Sequence, residues 1–227
     1  MPGAPPRHVG VVPDGNRRYA RKAGIPKRDG YLLGVERALA MVEWCRDEGV
    51  RHVSAFGASH DNFVRRPTDE QQCLDEALVR FCEGVVALPG TALHVFGDAA
   101  AVSDGLPGRA RLMEFERAPR IADAALTVHV GANYSSESEV TALLRAARTH
   151  GVDRVAVAPG DFLLSAGVPA VDLVVRTGGQ QRLSGFLPFQ SAYAELWFTA
   201  TLWPEFRRDE LDAALAWYAR QERRLGE

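Results

Sequence analysis

Short runs of apolar residues alternate along this chain with longer stretches in which apolar positions recur every three or four residues. The first run, His-Val-Gly-Val-Val at 8–12, reads as a buried strand. The turn Pro13-Asp14-Gly15-Asn16 ends it, and a short basic helix follows as far as Ala23, where Gly24 and Pro26 break the pattern. Leu32, Val35, Leu39, Val42 and Cys45 then fall on one helical face, predicting a helix over 32–48. Further strands are expected at 52–56, 92–96, 126–130 and 171–175, with a short last one at 195–198. Helices are expected at 69–86, 109–122, 136–149 and 209–225. Successive parallel strands need crossover connections, so this alternation predicts an α/β fold. Its central, mainly parallel sheet is flanked by helices on both faces.

In such folds ligands gather beyond the carboxyl ends of the strands. The polar, glycine-containing segments lie at those ends: PDGNRR after the first strand, GASHDN after the second, ANYSS after the fourth and RTGGQQRLSG after the fifth.

At 227 residues and 46% hydrophobic, the chain suits one domain over 1–227 with a sizeable core. A net charge of −2, from 27 basic and 29 acidic residues, gives no global pull toward nucleic acid or a membrane surface. Cys45, Cys73 and Cys82 form no CxxC pair and read as reduced core thiols, not as a disulfide frame or zinc site. The start MPGAPPRHVG lacks a signal-peptide core, and no apolar run approaches the ~20 residues of a membrane span. A cytoplasmic protein without stable membrane insertion is expected.

Three segments carry candidate chemistry. In PDGNRR, a strand end, a glycine turn and a helix start present free backbone N–H groups to an anion. Asp14 is placed to hold a divalent metal, and Arg17, Arg18, Arg21 and Lys22 supply cations; a plain Asp-Gly turn before a solvated basic helix is the alternative. In the second segment, Arg176 and Arg182 flank Gly178-Gly179, with Ser184 beyond. Arginine offers phosphate a planar, multi-donor contact, so this loop suits a second diphosphate, or else is a surface turn. In the third, Ser59, His60, Asp61, Asn62 and Phe63 precede Arg65, Arg66 and Pro67. Asn62 and Phe63 could meet a substrate, or Ser59 and Asp61 could simply cap a helix. Two arginine-rich anion loops without a nucleotide motif point to a transferase acting on diphosphates.

Several of these segments resemble the cis-prenyltransferases, the undecaprenyl-diphosphate-synthase-like family. HVGVVPDGNRRYARKAG is similar to that family's HxxxxxDGNxRxA signature. GASHDNFVRRP resembles its Ser-x-x-Asn-aromatic-x-Arg-Pro segment with one extra residue before the arginines. DLVVRTGGQQRLSGFLPFQSAYAELWFTATLWPEF resembles its long C-terminal signature, and Arg224-Leu225-Gly226 its terminal Arg-x-Gly element.

The resemblance implies a homodimer with an apolar tunnel between two helices and the sheet, acting on isoprenoid diphosphates. It implies Mg²⁺ held by Asp14 and Glu195, and an allylic diphosphate on Gly15, Asn16, Arg17 and Arg18. The isopentenyl-type diphosphate falls to Arg176, Arg182 and Ser184, with Arg224 and Gly226 completing a neighbouring subunit's site. Ser59, Asn62, Phe63 and Arg66 line the space between. The base is left open among Asp14, Asn62 relaying to water, and the diphosphate.

The family's arginine and Gly-His-x-x-Gly stretch departs here: Lys27 or Arg28 stands for the arginine, and Tyr31 for the histidine. Leu33, Phe81 and Leu93 could crowd a tunnel, so a short-chain product is expected. Asp29-Gly30-Tyr31, Arg17-Arg18 and Phe186-Leu187-Pro188 resemble the lavandulyl-type branch, which joins allylic diphosphates head to middle. Asn16, Ser59 and Asn62 keep the elongating pattern, placing regular cis elongation ahead. Two rivals are a non-catalytic partner subunit and a terpene synthase or phosphatase on the same scaffold. The presence of Asp14, Arg18, Arg176, Arg182 and Glu195 argues against the first.

Overall fold

The computed structural model describes residues 4–101, 105–119, 121 and 123–222. Six strands make one sheet: β1 (His8–Val12), β2 (His52–Ala55), β3 (Thr91–Gly97), β4 (Leu126–Ala132), β5 (Leu173–Arg176) and β6 (Glu195–Phe198). Their order is β3-β4-β2-β1-β5-β6, and every pairing is parallel. The chain leaves β1 toward β2 on one side and later returns to β5 on the other. That reversal opens a crevice at the carboxyl ends of β1 and β5, where α/β sheets bind ligands.

The helices are α1 (Asn16–Ala23), α2 (Lys27–Asp47), α3 (His60–Arg65), α4 (Thr68–Ala87), α5 (Arg109–Arg117), α6 (Ser136–His150), α7 (Val152–Val157) and α8 (Arg208–Tyr218). Helix α2 starts five residues before the periodic pattern does, because Pro26 sets the chain up as its cap and the polar Lys27–Asp29 turn costs nothing in packing. Helix α3 was not expected: it is too short for a periodic pattern and owes its start to a Ser59–Asn62 capping box. Helix α8 stops at Tyr218, short of the expected 225, and α5 at Arg117.

One sheet face carries the main core. Val9, Val11, Val53, Val95, Val128, Val130, Leu173 and Val175 meet Met41, Val42, Leu78, Phe81, Leu112 and Leu211 there, all buried. Each such side chain contributes about 1.5–3 kcal/mol by leaving water. The opposite face carries a second core. A smaller cluster of Val12, Phe96, Tyr134, Val168, Val171, Val174, Phe186 and Leu187 lies on it, drawn largely from irregular segments. Among the described residues no helix is long and apolar enough to cross a membrane.

Candidate active site

Parallel pairing of β1 with β5 sets Val12 opposite Arg176, so the first and last polar loops meet although 162 residues separate them. Asp14 is fixed through its backbone: Thr177 donates its hydroxyl to the Asp14 carbonyl (2.8 Å) and accepts from the Asp14 N–H (3.0 Å). The Asp14 carboxylate lies between two arginines, with Arg18 Nη2 at 3.0 Å from one oxygen and Arg176 Nη2 at 3.1 Å from the other. Arg18 also donates to the Gly178 carbonyl (2.7 Å). Gly178 has φ +80°, and a Cβ there would run into Arg18 and into the Asp14 carbonyl, so glycine is required. Arg176 is buried and donates to the Arg182 carbonyl (2.5 Å) and to Ser184 Oγ (2.8 Å).

A cavity of about 540 Å³ opens beside the Asp14 turn, lined by Gly15, Asn16, Arg17, Arg18, Arg21, Lys27, Tyr31, Arg66 and Glu70 among others. Five cationic side chains (Arg17, Arg18, Arg21, Lys27, Arg66) face two carboxylates (Asp14, Glu70), leaving an excess of three positive charges. In a chain of net charge −2, that local excess makes the cavity a candidate anion site. Glu70, buried near the start of α4, accepts from Lys27 Nζ (2.5 Å) and Arg17 Nη1 (3.1 Å). These cations hold its carboxyl below the usual carboxylate range, Lys27 first. The structure separates Lys27 from Arg28: Arg28 forms a two-pronged pair with Glu76 (2.6 and 2.5 Å) and lines neither this cavity nor the next. Helices α1 and α2 touch through Gly30 and Gly34, where an added Cβ would strike Ala20 and the Asn16 amide. That close approach seats Asn16 in the wall.

A second, larger cavity of about 700 Å³ shares Pro13, Asp14, Asn16, Arg17, Tyr31 and Arg66 with the first. Its remaining lining includes Phe56, Ser59, His60, Asn62, Leu74, Tyr134, Glu137, Arg176 and Ser184. Ser59 and Asn62 do cap α3, the Ser59 hydroxyl accepting from the Asn62 backbone N–H and the Asn62 side-chain Oδ1 from the Ser59 N–H, each at 3.3 Å. The cap leaves the Asn62 amide N–H groups for the cavity, so capping and site roles coexist. At the place expected of the tunnel, apolar lining comes from Val12, Tyr31, Phe56, Leu74 and Tyr134. Below Leu74, the next turns of α4 place Leu78 and Phe81 in the packed core, with Leu39 of α2 against Gly84.

Several expected site residues lie elsewhere. Phe63 points into the main core and lines neither cavity, because an apolar side chain on a short amphipathic turn gains more from burial. Arg182 is exposed, bonds Gln180 (2.5 Å), and contributes its carbonyl to Arg176 instead of its guanidinium to either cavity. Glu195 begins β6 opposite Leu173, level with Val9, which puts it at the other end of the strands from Asp14. Arg224 and Gly226 lie outside the described residues. Thr177, Glu70 and Tyr134 were not singled out. Thr177 and Glu70 act through contacts that only folding creates, and the ANYSS segment signalled the strand end without singling out Tyr134.

The donor set suits magnesium in one way. Among the described residues no three His, Cys, Asp or Glu side chains converge as a metal cage. Mg²⁺ is commonly held by one or two carboxylates together with substrate phosphates, and Asp14 borders both cavities to supply one. Asn16 Oδ1 and Arg176 Nε are buried there without a partner. Unsatisfied groups at a cavity wall are the ones a ligand completes.

The family model described as putative undecaprenyl diphosphate synthase matches residues 12–226. An isoprenyl transferase of Thermus thermophilus is 33% identical, with 99% of this chain and 90% of the relative aligned. A short-chain Z-isoprenyl diphosphate synthase of Mycobacterium bovis and a (2Z,6E)-farnesyl diphosphate synthase of Mycobacterium tuberculosis are each 36% identical, covering 97% of this chain and 88% of theirs. The solved lavandulyl diphosphate synthase of Lavandula x intermedia, in complex with dimethylallyl diphosphate, superposes with a TM-score of 0.84 at 22% identity over 99% of both chains, a likeness of fold. Sequence and sheet topology agree: the chain belongs to the undecaprenyl diphosphate synthase family and is a prenyltransferase.

Proposed function

We propose that this prenyltransferase condenses an allylic diphosphate with isopentenyl diphosphate into a short-chain cis-prenyl diphosphate, with Mg²⁺ as cofactor. The observation that carries the reading is the pair of cation-lined cavities meeting at Asp14, Asn16, Arg17, Tyr31 and Arg66. The packed layer of Leu78 and Phe81 beneath Leu74 supports a short product, because a long chain would have to displace core side chains.

In this reading Arg17, Arg18 and Lys27 hold the allylic diphosphate, and Arg176 with Ser184 holds the other. Cationic donors stabilise the leaving diphosphate as it takes the C–O electron pair. Asp14 would hold a magnesium ion, which would supply further Lewis-acid stabilisation of that leaving group. The double bond of the second substrate attacks the allylic carbon, and loss of a proton sets the new alkene. Asn62, beside Ser59 on the wall between the two sets of cations, is placed to orient a water for that proton.

The homodimer and a cytoplasmic location belong to the same proposal. Exposed Val140, Leu144, Val152 and Val157 on α6 and α7 support association, and a metal role for Glu195 would need a second copy. Light scattering of the purified protein tests the first. Three free thiols suit a reducing compartment.

The test of the reaction is incubation with dimethylallyl, geranyl or farnesyl diphosphate, with and without isopentenyl diphosphate, followed by mass and NMR analysis. A short cis product, abolished by EDTA and restored by Mg²⁺, is expected. A product from the allylic substrate alone would favour head-to-middle coupling or a terpene synthase, and no prenyl product would overturn the proposal.

A further inference from the structure

The cations around the two cavities are held in two ways. Glu70 pairs with Arg17 and Lys27, and Asp14 pairs with Arg18 and Arg176. Arg66 differs: among the described residues no carboxylate lies within ion-pair distance of it. Its Nη1 donates instead to the Tyr31 hydroxyl oxygen at 2.5 Å. Tyr31 is a buried side chain of α2, while Arg66 sits in extended backbone between α3 and α4, so the bond ties that connection to a rigid helix. Both residues line both cavities.

A carboxylate in place of Tyr31 would fix Arg66 but cancel its charge. A phenylalanine would leave the charge and lose the orientation. A neutral phenol does both jobs, and burial raises the Tyr31 phenol above its ordinary range, which keeps it neutral. Burial also disfavours the charged guanidinium of Arg66, and Glu70 and Asp14, too far to pair with it, offset this only in part, so a partly desolvated cation is left open to an anion.

We propose that Tyr31 is a positioning residue that holds the uncompensated charge of Arg66 on the wall shared by the two cavities, so that one guanidinium serves both diphosphates. The inference rests on the reading of the cavities as two diphosphate sites. It makes position 31, where this chain departs from the family's histidine, a determinant of affinity for both substrates together.

The experiment compares wild type, Tyr31→Phe, Arg66→Ala and the double variant, with melting temperature as a control for the fold. Losing a hydrogen bond to a charged group is worth roughly tenfold in binding. Tyr31→Phe is expected to raise KM for the allylic and the isopentenyl substrate alike, each about tenfold, with kcat changed far less. On the Arg66→Ala background the same change adds nothing, because Tyr31 acts through Arg66. A rise in only one KM, no rise, or additive effects in the double variant would overturn the inference. Inorganic diphosphate binding by calorimetry separates the two levels. A wild-type protein that binds diphosphate more tightly than Tyr31→Phe, yet makes no prenyl product, sinks the reaction and keeps the positioning role; equal binding sinks the positioning role itself.

Discussion

At the carboxyl ends of β1 and β5, Asp14, Arg18 and Arg176 are joined as opposite charges at the rim of open cavities. Upstream on the same sheet, on the face opposite the main core, four histidines form a buried to half-buried row. His8 bonds Ser54 Oγ (2.8 Å), His52 meets His129 (3.2 Å), and His94 meets His129 from its other side (2.9 Å). Burial, then the neighbouring His52, depresses His8 to about 4, and burial lowers His52 as well. One region is arranged so that charge is present and available to a ligand. The other excludes charge, because each histidine–histidine bond needs an acceptor nitrogen and protonating both rings removes it. The lesson is that strand position alone does not decide the fate of an ionisable group; access to water and to a counter-charge does.

The largest expected effect breaks the charged region. Asp14→Asn keeps the size of the side chain and its backbone bonds to Thr177 but leaves Arg18 and Arg176 without their shared carboxylate. Turnover should fall about 100-fold or more with circular dichroism unchanged. Turnover near wild type would show that Asp14 only braces the arginines.

Gly178→Ala comes next. It forces an unfavourable positive φ and pushes into Arg18 and the Asp14 carbonyl, so a destabilisation of about 1–3 kcal/mol is expected together with lost activity. Urea titration checks it, and a wild-type midpoint would mean that the loop has room to yield.

The histidine row is sharpened by pH. A depressed folded pKa means that the folded state prefers the neutral ring, so the contribution of His8 is complete above about pH 6.5. It is lost as pH falls from there toward 4, by about 3 kcal/mol in all. Urea unfolding between pH 7.5 and 4.5 should show that decline, and His8→Gln should flatten it. A decline of equal size in His8→Gln would assign it to carboxylates instead.

The smallest effect is expected at Arg28. Its partner Glu76 lies outside both cavities, so Arg28→Ala should leave KM and kcat within about twofold, against a large loss for Lys27→Ala. Equal losses would return Arg28 to the site.

Much of the fold was legible because strand and helix periodicities are local properties. The five main strands, β6 and the long helices follow from spacing, and a mainly parallel sheet follows from their alternation. The Asp14 turn and the Arg176 loop were legible as candidate anion loops for the same reason: glycine and arginine at strand ends carry their chemistry in the chain itself. The directions of the Phe63 and Arg182 side chains were not legible, because their neighbours in sequence do not reveal which way a short helix or an exposed loop turns its side chains. The choice between Lys27 and Arg28 was invisible too, since Glu70 and Glu76 reach them only once α2 packs on α4.

By itself, then, the sequence determined the layered α/β architecture, the polar loops that meet at the strand ends and the departure at Tyr31. Tertiary structure alone decided that β1 and β5 lie side by side, which brings Asp14 to Arg176. It also gave Arg66 a phenol instead of a carboxylate, and lined up four histidines where water is scarce. The physical reason is one of range. Periodicity and turn chemistry act over a few residues, whereas charge pairing and desolvation depend on groups that the fold brings together from far along the chain.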